Sequence, residues 1–223
     1  MSSSPQLLRL MQLASPALPV GGFAYSQGME WAVENGLDNE SLIADWVSGL
    51  METTLAGLDV PILKRLHEAW NEGNHEAVEK WSAFLYASRE TCELRLEELQ
   101  TAGALAKLLN DLEITDAVKW IRHPRRTYCN MLALAGSRWN IDIAELCSAY
   151  LWSWMENRVA AAIKSVPLGQ TAGQRILSSA VETIPVCVRS GLELEDSEIG
   201  GTSFGQVMAS ALHESQRTRL FRS

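Results

Sequence analysis

The sequence predicts an all-α protein folded as a single-domain helical bundle. Three observations carry that prediction. Apolar residues recur at steps of three and four along most of the chain. No run alternates apolar and polar residues between hairpin turns. Asn-Gly, Pro and Gly signals punctuate the periodic runs at helix-length intervals. With 223 residues, 47% of them hydrophobic and 21% charged, the chain has ordinary globular composition and enough length for a sizeable core. It shows no fixed-period repeat, which sets solenoid architectures aside.

The elements follow in order. Leu7, Leu8, Leu10, Met11 and Leu13 place a helix over Pro5 to Ala14, with Pro5 tolerated in its first turn. Two prolines and the pair Gly21-Gly22 then force a turn, from which a second helix is expected to leave directly and run to Asn35-Gly36. Asp38 or Asn39 can cap a third helix whose stripe is Leu42, Ile43, Trp46, Val47, Leu50 and Met51. Pro61 should kink or restart that run, and a piece from Ile62 to Trp70 should stop at Asn71-Glu72-Gly73. Asn74 caps the longest periodic segment, expected to reach almost to Asn110 with a break near Ser88.

A short helix from Thr115 or Asp116 ends near His123-Pro124. Helices follow over Met131 to Trp139 and Ile141 to Val166, the second so apolar that it is expected at the centre of the bundle. Pro167 terminates it, Thr171 to Ile184 forms another helix before Pro185, and the acidic, glycine-bearing stretch from Ser190 to Ser203 reads as a mobile loop. Phe204 to Leu212 is the last helix, leading into a tail over residues 213–223.

Composition narrows the function classes. Nineteen basic against 27 acidic residues give a net charge of −8 and a pI near 5.1, so the chain as a whole repels nucleic acid and anionic membrane and suits protein partners. No window approaches the ~18 uninterrupted apolar residues of a membrane span, the N-terminus lacks the basic and apolar regions of a signal peptide, and the expected location is cytoplasmic. Cys92, Cys129, Cys147 and Cys187 are scattered, with no Cys-x-x-Cys pair, and are expected to be buried reduced thiols.

A search for enzymatic arrangements returns none, so neither catalytic residues nor a cofactor is expected. Gly169-Gln-Thr-Ala-Gly173 is followed by Gln174, where a phosphate loop needs Lys and then Ser or Thr. Glu72-Gly-Asn-His75 is the one Glu-x-x-His, it sits on turn residues, and a di-iron bundle needs two. No Gly-x-Ser-x-Gly or His-Glu-x-x-His occurs, and no metal site is expected.

Binding features are easier to find. The corner holds Pro19, Gly21, Gly22, Phe23, Tyr25, Ser26, Gln27, Glu30 and Trp31, either a packed bend of the core or a docking surface. Arg89, Glu90, Glu93, Arg95, Glu97 and Glu98 can form i,i+4 pairs of a solvated helix face, with Glu93 and Glu97 as a like-charge clash. Lys164, isolated among apolar residues, either snorkels to solvent or reaches a partner. The tail carries Arg217, Arg219 and Arg222 against Glu214 and still spends Leu220 and Phe221 on apolar surface, as a segment that folds on a partner would.

The run from Leu10 to Glu30 resembles the N-terminal signature of the urease accessory protein family UreF. Three more segments match in the same order: Ser88 to Arg95, Val166 to Gln174, and His213 to Ser223. The resemblance thus spans nearly the whole chain. It implies an all-α homodimer without catalysis of its own, a chaperone-like scaffold in urease maturation that joins UreD (UreH in some organisms), recruits the GTPase UreG and assists nickel insertion into apo-urease. The candidate partner-binding residues it carries over are Tyr25, Ser26, Gln27, Glu30, Gly169, Gln170, Gln174, His213, Glu214, Arg219, Phe221 and Arg222, to which Arg89, Glu90 and Lys164 are added from the reading of the residues. The tail is taken as the UreD contact, with the other segments open between UreG, dimer and fold. A role in regulating UreG through Arg89, Arg125 or Arg126, or a generic all-α protein-binding scaffold, is the alternative. One departure stands out: the family tail reads Tyr-Ser before Arg-Leu-Phe-Arg-Ser, where this chain has Arg217-Thr218.

Overall fold

The computed structural model describes residues 4–166 and 168–222. It contains ten α-helices: α1 Pro5–Ala14, α2 Met29–Glu34, α3 Glu40–Leu50, α4 Val60–Glu72, α5 His75–Ala87, α6 Cys92–Asp111, α7 Tyr128–Arg138, α8 Ile143–Ser165, α9 Gln170–Glu193 and α10 Phe204–His213. Short 3-10 turns occupy Gly22–Ala24 and Thr115–Trp120, a π-helical stretch covers Met51–Asp59, and no strand occurs among the described residues. The fold is all-α, as the sequence predicts.

Short polar side chains set most of the helix starts. Ser4, Asn39, Asn74, Thr91, Thr127 and Asp142 each accept an amide of the following first turn, replacing a bond the helix cannot make for itself. Gly73 closes α4 in the left-handed conformation at φ 68°. The break expected near Ser88 falls there, with Thr91 capping α6.

α7 is the most enclosed helix, buried from Cys129 to Ser137 where it packs against α4 and α6. α8 was expected at the centre. It packs against α1, α2, α3, α4, α7, α9 and the Gly22–Ala24 turn, as a central helix does, and buries mainly one side, through Leu146, Leu151, Met155 and Val159.

Several expectations need correction. The chain does not leave the Gly-Gly corner as a helix, because Gln27 (φ 54°) and Gly28 (φ 83°) are both left-handed and delay α2 to Met29. Pro61 sits in the first turn of α4, so the α-helical run restarts at it as expected, after a π-helical stretch and not after a break in the chain's helical angles. Leu50, Asp59 and Val60 all keep right-handed helical angles, and the wider π stretch just before the proline accommodates a residue without an N–H. Pro185 lies inside α9, which continues to Glu193. It is on the exposed side, where the carbonyl it deprives of a partner meets solvent. Pro167 lies outside the described residues.

The stretch expected to be mobile is tied down. Arg65 Nη2 donates to the Leu194 carbonyl (2.6 Å) and Nε to Asp196 (2.9 Å), while Thr202 Oγ1 donates to Glu90 (2.6 Å). The Gly200 amide donates to the Gly57 carbonyl (3.0 Å). A Cβ on Gly57 would stand 2.6 Å from the Gly200 oxygen, so these glycines permit close approach of the loop to the π stretch. Cys92 is exposed, while the other three cysteines are buried, all as free thiols. No described helix is long and apolar enough to cross a membrane.

Candidate functional site

The corner and the tail, at opposite ends of the sequence, meet. Gly21 (φ 79°) turns the chain into the Gly22–Ala24 turn, which leaves Phe23 63% exposed and points Tyr25 inward. Gly28 then passes directly beneath α10: a Cβ there would stand 2.6 Å from the Ser210 amide nitrogen. Ser26 Oγ accepts the Glu30 amide at 3.3 Å and starts α2, so the Glu30 carboxylate projects toward the tail from a fixed base.

That carboxylate holds the tail. Its Oε1 accepts the Leu220 amide (2.6 Å) and its Oε2 the Phe221 amide (2.9 Å), with His213 Nε2 3.2 Å from Oε2. His213, fully buried, places Nδ1 2.8 Å from Glu93 Oε2, and Arg219 Nη1 donates to Glu93 Oε1 (2.9 Å). The Arg222 amide closes the clasp on the Ala24 carbonyl at 2.8 Å. Glu214 accepts the Cys92 amide (2.9 Å) at the start of α6, where the helix dipole favours a carboxylate. Phe221 is therefore buried on its own chain, with Lys164 Nζ 5.9 Å from its ring, while Leu220 (64% exposed), Arg217 and Arg222 face outward.

Beside the clasp lies a chain of buried charges. Arg89 donates to both oxygens of Asp59 (Nη2 2.5 Å, Nη1 3.1 Å) and to Glu98 Oε1 (Nη2 2.6 Å, Nε 2.9 Å). Asp59 Oδ1 also accepts the Tyr150 hydroxyl (2.7 Å), and Glu98 Oε2 accepts the Tyr128 amide (2.7 Å). Burial alone would pull the Arg89 guanidinium down, but Asp59 and Glu98 outweigh it and hold it well above its usual range. Burial, then the neighbouring Asp59 charge, pushes the Tyr150 hydroxyl up; burial, then the Cys129 thiol, does the same for Tyr128. Gln27 links this cluster to the corner: its Nε2 donates to Glu97 (3.0 Å) and its Oε1 accepts from Trp154 Nε1 (3.0 Å) and Gln206 Nε2 (3.3 Å). These groups flank a cavity of about 100 Å³ whose lining also includes the exposed Pro16 and Phe23.

The structure thus brings Tyr25, Ser26, Gln27, Glu30, Arg89, His213, Glu214, Arg219, Phe221 and Arg222 into one region. Glu90 is at its edge, bonded to Thr202. Gly169, Gln170 and Gln174 do not join it; they are exposed at the start of α9. The charged run around Arg95 is not a solvated face, since Glu93 and Glu98 are each 7% exposed and spend their oxygens on distant partners, which separates Glu93 from Glu97. Sequence reasoning missed Asp59, Tyr150 and Arg158 as members of the buried cluster. Only the position of Asp59 among apolar helical residues hinted at one of them. No group of three or more potential metal ligands occurs among the described residues.

A second surface feature is an apolar groove of about 520 Å³ between α1, α8 and α9. Ala144, Ser148 and Ala149 form part of its lining together with Met11, Trp152 and Val181, and among the described residues Glu145 is its one charged lining residue.

The profile of the UreF family matches residues 37–181. The urease accessory protein UreF of Alkalilimnicola ehrlichii is 50% identical over 216 residues, covering 96% of this chain and 95% of that protein. Those of Hahella chejuensis and Pseudomonas putida (strain W619) are 43% identical over 218 residues and 44% over 225, covering 97% and 100% of this chain and 98% and 100% of theirs. Relatives this similar from end to end, and a family profile covering most of the chain, show that the protein belongs to the UreF family.

Proposed function

We propose that this chain is an accessory scaffold of urease maturation: a cytoplasmic homodimer without catalysis of its own that binds UreD/UreH, recruits the GTPase UreG, and so assists GTP-dependent nickel insertion into apo-urease. The observation that most supports this reading is the convergence of three of the four family-like segments. The corner, the start of α6 and the tail, up to 198 positions apart, build one clasp whose outer face carries Phe23, Arg217, Leu220 and Arg222. Exposed aromatic, aliphatic and arginine side chains on a rigid support suit a protein partner, and UreD/UreH is assigned to this face. The tail serves that contact from its docked position, with Phe221 as an internal anchor.

The groove between α1, α8 and α9 is assigned to the second copy. A two-fold contact sets a patch against itself, so it must lack a dominant charge, and Glu145 alone among small and apolar residues meets that condition. The exposed start of α9, with Gly169, Gln170 and Gln174, is left to UreG, while Lys164, over the Phe221 ring, goes with the clasp.

The test is deletion of the gene in the source organism, followed by measurement of nickel content and activity of purified urease. The expected result is full-length, nickel-poor enzyme, loaded again by the intact gene and not by one ending before His213. Fully loaded urease without the gene would refute the role.

A regulatory effect on UreG has one observation in its favour. Arg89 is locked in the buried cluster, and Arg126 spends its guanidinium on the carbonyls of Leu99 (2.6 Å) and His123 (2.7 Å). Arg125 is exposed with no side-chain partner among the described residues, so of the three it is the one able to reach a bound nucleotide. Arg125→Ala should leave complex formation intact and slow GTP hydrolysis by UreG; unchanged hydrolysis dismisses this reading.

A further inference from the structure

Arg158 is a buried cation without a full set of partners. It is 2% exposed on α8, its Nε and Nη1 have no hydrogen-bond partner among the described residues, and the nearest carboxylate oxygen among them, Glu97 Oε1, lies 3.9 Å from Nη2. That separation gives Coulomb attraction but no hydrogen bond. Glu97 also accepts from Gln27 Nε2 at 3.0 and 3.1 Å. A guanidinium removed from water at this depth is costly unless its charge and its N–H groups are both met. Arg158 lines the cavity of about 100 Å³, and so does Thr54, whose buried hydroxyl is likewise without a partner. Trp154, with its ring centroid 5.9 Å from the Arg158 guanidinium carbon, and Asn157 complete this end of the space.

We propose that this cavity binds a small planar oxyanion of the carboxylate type, held by hydrogen bonds from Arg158. Water can meet the free N–H groups singly, whereas a planar oxyanion offers two acceptor oxygens matched to the edge of the guanidinium. The neighbouring charges set the conditions of binding. Arg89 is consumed by Asp59 and Glu98, Tyr150 gives its hydroxyl to Asp59, and Tyr128 lines the same space as a neutral group. Asp59, Glu97 and Glu98 against Arg89 and Arg158 leave one excess negative charge among the buried groups before any anion arrives, and Glu90, exposed at the rim of the cavity, adds a second that solvent screens. The anion therefore enters with a proton, which Glu97 takes; burial already pushes this carboxyl up. Binding tightens as pH falls.

The oxyanion can be a free ion, or a carboxylate side chain inserted past Pro16 and Phe23. The experiment is thermal unfolding of the full chain at pH 8, 7 and 6 in sodium formate against sodium chloride of equal ionic strength. A parallel arm uses N-acetyl-aspartate N-methylamide. The expected result is a formate-specific rise in Tm that grows toward pH 6, the apparent Kd falling by up to about tenfold per pH unit. Arg158→Met should abolish the rise, and Glu97→Gln should keep it but remove its pH dependence. A matching rise with the aspartyl amide points to an inserted side chain, and a rise with formate alone to a free ion. Equal Tm in formate and chloride at every pH, or a rise that survives Arg158→Met, overturns the proposal. If Arg158→Met does not fold, a pH slope retained by Glu97→Gln overturns it.

Discussion

Replacing Arg89 by Met tests whether the buried charge cluster holds the bundle together. The substitution keeps much of the side-chain volume and removes the one cation that, among the described residues, pairs with Asp59 and Glu98, which are 0% and 7% exposed. Asp59 would keep the Tyr150 hydroxyl and Glu98 the Tyr128 amide, but neither would retain a charge to balance its own. Breaking a buried pair from one side costs about 3–5 kcal/mol, because the stranded charge remains desolvated. At this chain length each kcal/mol moves Tm by about 2–4 °C, so a fall of roughly 6–20 °C is expected. Calorimetric unfolding at fixed protein concentration reads it, concentration being held because association would shift Tm by mass action. Two further signs distinguish charge stranding from simple loss of packing. The deficit should shrink as pH is lowered, since protonation relieves a buried carboxylate that has lost its cation. The double substitution Arg89→Met with Asp59→Asn should be more stable than Arg89→Met alone. A loss below about 1 kcal/mol, or one independent of pH and not relieved by Asp59→Asn, would refute the reasoning.

Other predictions follow from single contacts. Gly28→Ala combines a left-handed residue with a Cβ 2.6 Å from the Ser210 nitrogen, so it should destabilise by more than the ~1–2 kcal/mol of the backbone conformation alone; chemical denaturation with an unchanged m-value checks it. Phe221→Ala empties a site that is 6% exposed and should release the tail, read as rapid proteolytic cleavage after Arg217 or Arg219 with little change in global Tm. Burial holds the His67 imidazole below its ordinary value near 6.5. The unfolded chain therefore takes up that proton first, so this contribution to stability is complete above pH 6.5 and declines as pH falls below it. His67→Gln should flatten the acid side of the stability profile, and an unchanged profile would contradict the assignment. Arg217→Tyr, which restores the family's usual residue at an exposed position of the tail, should alter affinity for UreD/UreH without changing the protein's own Tm.

Local chemistry made most of the helices legible in the sequence. The periodic stripes, the caps at Asn39, Asn74 and Thr91, and the stop at Gly73 each depend on residues within one turn of each other, and the helices lie where these signals place them. Local rules failed where a distant element supplied the deciding contact. The acidic stretch after α9 reads as mobile until Arg65 and the π stretch are seen to hold it. The late start of α2 follows from the pressure of α10 on Gly28, about 180 positions downstream.

The candidate residues divide in the same way. Their identities at the corner, the start of α6 and the tail, and with them the family, were determined by the sequence alone, because a side chain's chemistry and its order along the chain need no coordinates. What only the tertiary structure decided is which of them act together. Glu30, Glu93, His213 and Arg219 look like separate surface charges in one dimension, and Phe221 like an anchor for another protein. Burial changes both meanings: desolvation makes each charge require its opposite, and those opposites lie 120 or more positions away, brought within hydrogen-bond reach only when the helices pack.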